Sequence, residues 1–242
     1  MNQIITPETQ AKFAQAVETL DRKFESDSSR LDDTNTNSEL RAWLQGKDSS
    51  FPWTKNAPDV TSDEWFFITT LWGEMTLAGQ RTHIRAFFPK LFVDAAQRDI
   101  RNFVPNMPQY VGLRSGWMKT RLSTMGCILR DRDLTMAEYV VHLGKLEGAA
   151  TPDNPMPALD AIIADHKSTG WKTLSCFVRD CVCGNSFPID TRVAKELAHW
   201  KLAANERHLV SLSLSMGRNP RPVARMFYEA GGKEALLPNS KT

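Results

Sequence analysis

The sequence has little that would anchor it outside an ordinary aqueous compartment. Only four of its 242 residues are cysteine (Cys127, Cys176, Cys181 and Cys183). Without a secretory leader, that number points to reduced thiols rather than a disulfide framework. No run approaches the roughly 18 consecutive apolar residues of a membrane-spanning helix. The first residues, Met1-Asn2-Gln3-Ile4-Ile5-Thr6, lack the basic and apolar regions of a signal peptide. The expected setting is therefore cytoplasmic, with no membrane partner. Charge of one sign is also missing: 30 Lys and Arg against 28 Asp and Glu leave a net +2, which neither demands nor excludes nucleic acid. No strand-like alternation and no repeat at a solenoid period stand out.

What is present is helical periodicity. Thr6-Pro7-Glu8 is a start signal, a hydroxyl cap followed by Pro and an acid in the first turn, and Phe13, Val17, Leu20 and Phe24 follow at helical spacing. Residues 26–37 are polar and read as a loop, followed by a short helix through Leu40, Trp43 and Leu44. Thr61-Ser62-Asp63-Glu64 has the pattern of a capping box ahead of Trp65, Phe66, Phe67, Ile68, Leu71 and Trp72. Further helices are expected near 83–103, 114–131, 134–147, 157–166, 171–183, 191–203, 205–216 and 221–230. The class is all-α, with about ten or eleven helices. From Thr191 onward, nine Lys or Arg face four Glu, so positive charge gathers at this end of the chain.

The chemically informative stretch runs from Lys167-Ser168-Thr169-Gly170-Trp171-Lys172-Thr173 to Phe187-Pro188-Ile189-Asp190-Thr191-Arg192-Val193. It reads as helix, tight turn at Gly170, helix, short loop, helix start. Asp190 falls where an N-cap belongs, and capping alone would account for it. Trp171 is either a core anchor, the reading its size favours, or a surface residue. Cys176, Cys181 and Cys183 are expected as buried thiols, because no Cys-x-x-Cys pair exists and their spacing suits tetrahedral zinc poorly.

Over about fifty residues, from Asn154 to about Ala203, this stretch resembles the helix-hairpin-helix DNA glycosylases. The endonuclease III-like members carry a hairpin Gly-x-Lys-Thr and, at a fixed interval, an apolar-Asp-Thr segment. Here Gly170-Trp171-Lys172-Thr173 precedes Ile189-Asp190-Thr191, and Lys172 and Asp190 are 18 positions apart, as in those members. Three features depart from the family. Ser168 replaces the first hairpin glycine, Arg192 stands where His is common, and no cysteine follows Cys183 to build an iron–sulfur loop.

The resemblance implies two helical lobes flanking a DNA-binding cleft, one spanning 55–184 and ending in the helix-hairpin-helix motif, the other formed by 1–54 with 185–242. It implies a monomer that flips a base from double-stranded DNA and cleaves its N-glycosidic bond, without an iron–sulfur cluster or other cofactor. A hairpin-bound monovalent or divalent cation fits the same pattern. Asp190 would stabilise the oxocarbenium-like transition state, and Lys172 would be the amine of an added lyase activity. Lys167, Ser168, Thr169, Gly170, Thr173 and Arg192 would contact DNA. Trp65, Phe66 and Trp72 would supply either a stacking face for the base or simply core. Arg207, Arg218, Arg221 and Arg225 would contact phosphate or form a solvated face. The substrate would be a damaged base or a modified one, such as a hypermodified phage pyrimidine in an anti-phage role. The alternative is a non-catalytic helix-hairpin-helix module that only grips DNA.

Overall fold

The computed structural model describes residues 5–24, 61–72, 99–103 and 116–232. The helices expected near 40–44 and over most of 83–103 lie outside these residues. Among the described residues there are nine α-helices and no strand: α1 (Pro7–Phe24), α2 (Ser62–Trp72), α3 (Gly116–Asp131), α4 (Met136–Glu147), α5 (Pro157–Asp165), α6 (Trp171–Phe177), α7 (Thr191–His199), α8 (Glu206–Ser215) and α9 (Pro220–Ala230). The chain divides into two compact units. One comprises Met1–Asp33, Glu147–Pro157 and Gly184–Thr242, the other Thr34–Leu146 and Ala158–Cys183.

In the first unit, α9 packs on α7, α1 and α8. The apolar stripe of α1 supplies Phe13, Val17, Leu20 and Phe24, all buried as their spacing predicts. Phe13 stacks on Phe227 of α9 with ring centroids 6.0 Å apart, and Phe187 meets Phe227 edge-on at 5.5 Å. Each fully buried phenyl ring contributes roughly 1.5–3 kcal/mol through the apolar surface it removes from water. Phe187 belongs to the segment that leads into α7, so this core anchors the approach to Asp190 directly.

α7 and α9 meet at a point where no side chain fits. A Cβ built on Gly231, just beyond α9, would lie 2.3 Å from the carbonyl oxygen of Arg192 and 2.7 Å from its carbonyl carbon. Gly231 sits at φ −75°, a conformation open to every residue, so the need for glycine is steric.

The second unit is organised around α2. The expected capping box forms: Glu64 N–H donates to Thr61 Oγ1 at 3.2 Å, and Thr61 N–H to Glu64 Oε2 at 2.8 Å. A second box starts α4, with Thr135 N–H donating to Glu138 Oε2 at 2.8 Å and Glu138 N–H to Thr135 Oγ1 at 3.2 Å. Trp65, Phe66 and Phe67 enter the core with Leu122, Met125, Leu129, Tyr139, Leu159 and Ile162.

The expected helix over 171–183 does not run through as α-helix. Beyond Phe177 its last turn widens into a π-helix, Val178–Val182. It closes at Cys183, which adopts the left-handed conformation with φ 60° and donates its N–H to Val178 O. A wide turn of this kind ends a helix by taking its last hydrogen bond five residues back. The expectation of three buried thiols is corrected at this residue. Cys176 is buried, but the left-handed cap leaves Cys183 exposed.

Candidate active site and hairpin

Asp190 is held at the mouth of α7 by backbone. Its Oδ1 accepts the N–H of Arg192 at 2.9 Å and of Val193 at 2.8 Å, so one oxygen satisfies two of the donors a helix start leaves unpaired. The extended conformation of Asp190, φ −103° and ψ −174°, turns the chain from the connector into the helix. Among the described residues Oδ2 has no hydrogen-bond partner. The half-buried carboxylate therefore has one oxygen fixed and one available.

The connector that delivers Asp190, residues 184–190, is pinned at alternate amides by two carboxylates. Asn185 N–H donates to Glu147 Oε1 at 2.7 Å, and Phe187 N–H donates to Glu206 Oε1, also at 2.7 Å. Glu206 is 6% exposed and lies in the first turn of α8. A carboxylate in that position is favoured by the helix dipole, which offsets part of the cost of burying it. Neither glutamate was singled out from the sequence. Their partners lie 38 and 19 positions away, beyond the reach of any local pattern.

Arg192, in the first turn of α7, is half-buried, and its guanidinium lies over the ring of Tyr228, with Cζ 4.8 Å from the centroid. The four candidate phosphate-binding arginines differ in their surroundings. Arg218 is ion-paired with Asp21 of α1 at 2.6 Å, Arg225 pairs with Glu229 at 2.8 Å, and Arg207 and Arg221 are half-buried.

The hairpin residues lie in the other unit, between α5 and α6. Gly170 is the N-cap of α6 in extended conformation, φ −66° and ψ 149°, and a Cβ there would meet open space. No residue of 166–170 has a positive φ, so the turn with Ser168 in place of glycine needs no left-handed backbone. Lys167, Ser168 and Lys172 are exposed. Thr169 and Thr173 are buried, at 8% and 5% exposure, and this corrects the expectation that the Thr173 hydroxyl faces DNA. Helical spacing turns Thr173 inward and turns Trp171 outward. Trp171, expected in the core, is 41% exposed beside Lys172.

The residue that fixes this hairpin was missed as a structural element. His166 is fully buried, with Nε2 2.8 Å from Arg121 O on α3 and its ring 5.5 Å from that of Phe66. Burial holds its imidazole below the ordinary histidine range, against the pull of that hydrogen bond. The neutral ring donates from Nε2 and presents Nδ1 to Ser168 Oγ at 3.4 Å. Ser168 Oγ also lies 3.2 Å from Thr124 Oγ1 of α3, so its one proton serves either the imidazole nitrogen or that hydroxyl.

Two of the three expected base-stacking residues serve the core. Trp65 is 4% exposed, and Phe66 is 1% exposed and enclosed by His166 and Phe177, the latter edge-on at 5.3 Å. Neither ring has a face open to a base. The Trp72 side chain lies outside the described residues. Among the described residues no group of three or more His, Cys, Asp or Glu converges to hold a metal ion or cluster, and no helix is long and apolar enough to cross a membrane.

Compared with protein-family models, with curated proteins and with solved structures, the chain matches none of them.

Proposed function

We propose that this protein is a DNA glycosylase of the helix-hairpin-helix superfamily, acting as a monomer on double-stranded DNA in the cytoplasm, with Asp190 as its catalytic carboxylate. One observation carries the reading. The aspartate that stands 18 positions after the hairpin lysine presents a carboxylate with one oxygen bound by the α7 N-terminus and the other without a partner. A cap alone uses one oxygen. The second can face the sugar of an extruded nucleotide, where positive charge develops as the glycosidic bond breaks.

The chemistry balances with water as co-reactant. The bond from the anomeric carbon to the base nitrogen breaks, and its electron pair leaves with the base. Water adds to the anomeric carbon, and its proton passes to the carboxylate. Lys172, exposed in the first turn of α6, is the amine that a lyase step would use: it would condense with the ring-opened aldehyde of an abasic sugar, water leaving as the Schiff base forms. The missing iron–sulfur cysteines and the altered hairpin favour a specialised branch, with a modified base such as a hypermodified phage pyrimidine as substrate.

The test is incubation of wild type and Asp190→Asn with plasmid, damaged oligonucleotides and modified phage DNA, scored for abasic sites. Excision by wild type on one substrate and its loss in Asp190→Asn is expected. Full activity in Asp190→Asn would sink the catalytic reading and favour a module that only grips DNA. Borohydride trapping of a covalent adduct, absent in Lys172→Ala, tests the lyase step.

A further inference from the structure

Beside Asp190, α7 and α9 bring two cations onto one aromatic ring. Cζ of Arg192 lies 4.8 Å from the centroid of Tyr228, and Cζ of Arg225 lies 5.4 Å from it. Arg221, Arg225 and Tyr228 follow at spacings of four and three, so they share one face of α9. All three are half-buried, as is Arg192.

The local charge does not cancel. Arg225 is paired with Glu229 at 2.8 Å, yet its Nε is buried without an acceptor. Arg192 makes no ion pair among the described residues. Surface arginines with a carboxylate in reach normally pair with it, and a desolvated guanidinium donor left without an acceptor costs about 1–3 kcal/mol. A guanidinium lying over a ring is engaged through its face, which leaves its in-plane N–H donors for an acceptor with the geometry of a carboxylate or phosphate. The ring also limits the rotamers of both side chains, so less entropy is lost when an anion binds.

The backbone of Arg192 is restrained on two sides. Its N–H donates to Asp190 Oδ1 at 2.9 Å, and its carbonyl lies against Gly231 so closely that no Cβ fits between. An anion held by this arginine is therefore placed within one helical turn of Asp190.

We propose that Arg192 and Arg225, braced on Tyr228, form a clamp for a backbone phosphate of duplex DNA next to the nucleotide that faces Asp190. The proposal rests on the glycosylase reading, because that reading brings a DNA strand to Asp190. It adds the place where the strand's phosphate is held. Among the described residues the carboxylates beside this face already have partners: Glu229 pairs with Arg225, Glu196 accepts the indole N–H of Trp200 at 2.9 Å, and Asp190 Oδ1 accepts the Arg192 and Val193 amides.

The experiment is fluorescence anisotropy of the full chain with a mixed-sequence duplex oligonucleotide, across a series of salt concentrations. Each phosphate contact contributes about 0.9 to the slope of log affinity against log salt. The double variant Arg192→Gln with Arg225→Gln, which removes the clamp from its one phosphate, should lower that slope by about 0.9, and each single variant should lower it by less. Tyr228→Phe, which keeps the ring, should bind as wild type does, whereas Tyr228→Leu should bind more weakly at fixed salt. If the double variant unfolds, as melting would show, the single variants carry the same test. Unchanged slopes in variants of a protein that binds the duplex overturn the clamp and leave the glycosylase reading standing. No binding by wild type at low salt overturns that reading and the clamp with it.

Discussion

Gly231→Ala sets two physical arguments against each other, and they differ in sign. By propensity the change should help. Gly231 follows α9 at φ −75° and ψ 12°, which alanine adopts freely, and replacing glycine at such a position stabilises proteins by about 0.4–1 kcal/mol. By packing it should harm. The new Cβ would lie 2.3 Å from Arg192 O, 2.7 Å from its carbonyl carbon and 3.2 Å from its Cα. Ordinary contact needs about 3.4 Å, so α7 and α9 must separate locally by about 1 Å, and all three atoms are backbone with no rotamer to yield. Overpacking of this kind costs about 1–3 kcal/mol. The net expectation is a loss of about 1–2 kcal/mol, read by urea denaturation as a lower midpoint with an unchanged slope. The displaced turn carries both amides that hold Asp190. A shift of 1 Å at a reacting group costs on the order of 100-fold in rate, so under the proposed role of Asp190 base excision should fall further than stability does. A variant as stable as wild type, or more so, would refute the steric reasoning.

Three further outcomes follow from single groups. Burial raises the Asp63 carboxyl from the ordinary 3.8 to about 6, although Ile100 N–H donates to its Oδ1 at 2.9 Å. A raised folded pKa favours folding below about pH 4 and loses that contribution as pH climbs through 6. Asp63→Asn should therefore gain up to about 3 kcal/mol at pH 7.5 and little at pH 4, and an equal change at both would refute it. His166 behaves oppositely: burial lowers its pKa beneath 6.5, so its contribution is present above pH 6.5 and is lost as pH falls. His166→Gln, which keeps a donor for Arg121 O but cannot titrate, should flatten the acid limb of the stability profile, and an unaltered limb counts against the assignment. Glu206→Ala leaves the Phe187 amide buried and unpaired and should cost about 1–3 kcal/mol more than Glu206→Gln, which retains an acceptor; equal losses in urea denaturation would deny the bond its role.

Local features of the fold were legible, and non-local ones were not. The stripe Phe13, Val17, Leu20, Phe24 and the Thr61–Glu64 box depend on spacings within one helix, and both form as read. Trp171 was misread because size and hydrophobicity suggest burial, whereas the register of a short helix decides which side faces inward. Here that side holds Thr173, Leu174 and Phe177. The π-turn after Phe177 has no residue code of its own. His166 and Glu206 acquire their roles from acceptors and donors 45 and 19 positions away. Gly231 resembles a helix-ending glycine, but its reason lies on a different helix.

Asp190 occupies the boundary between those two kinds of information, and its two oxygens separate them. The bond from Oδ1 to the Arg192 and Val193 amides is a local event that any N-cap residue can supply, and asparagine supplies it almost as well as aspartate. Beyond that bond the charge meets the positive end of the α7 dipole, worth about 0.3–1 kcal/mol. Asp190→Asn should therefore unfold at nearly the wild-type urea concentration, while Asp190→Ala should lose about 0.5–2 kcal/mol with the cap. If capping were the whole role of this residue, activity would follow stability through the series, high in Asn and reduced in Ala. A carboxylate that meets developing positive charge requires the reverse pattern, in which the well-folded Asn variant is as inactive as the Ala variant. The rank order of two substitutions at one position thus distinguishes a helix cap from a catalytic carboxylate.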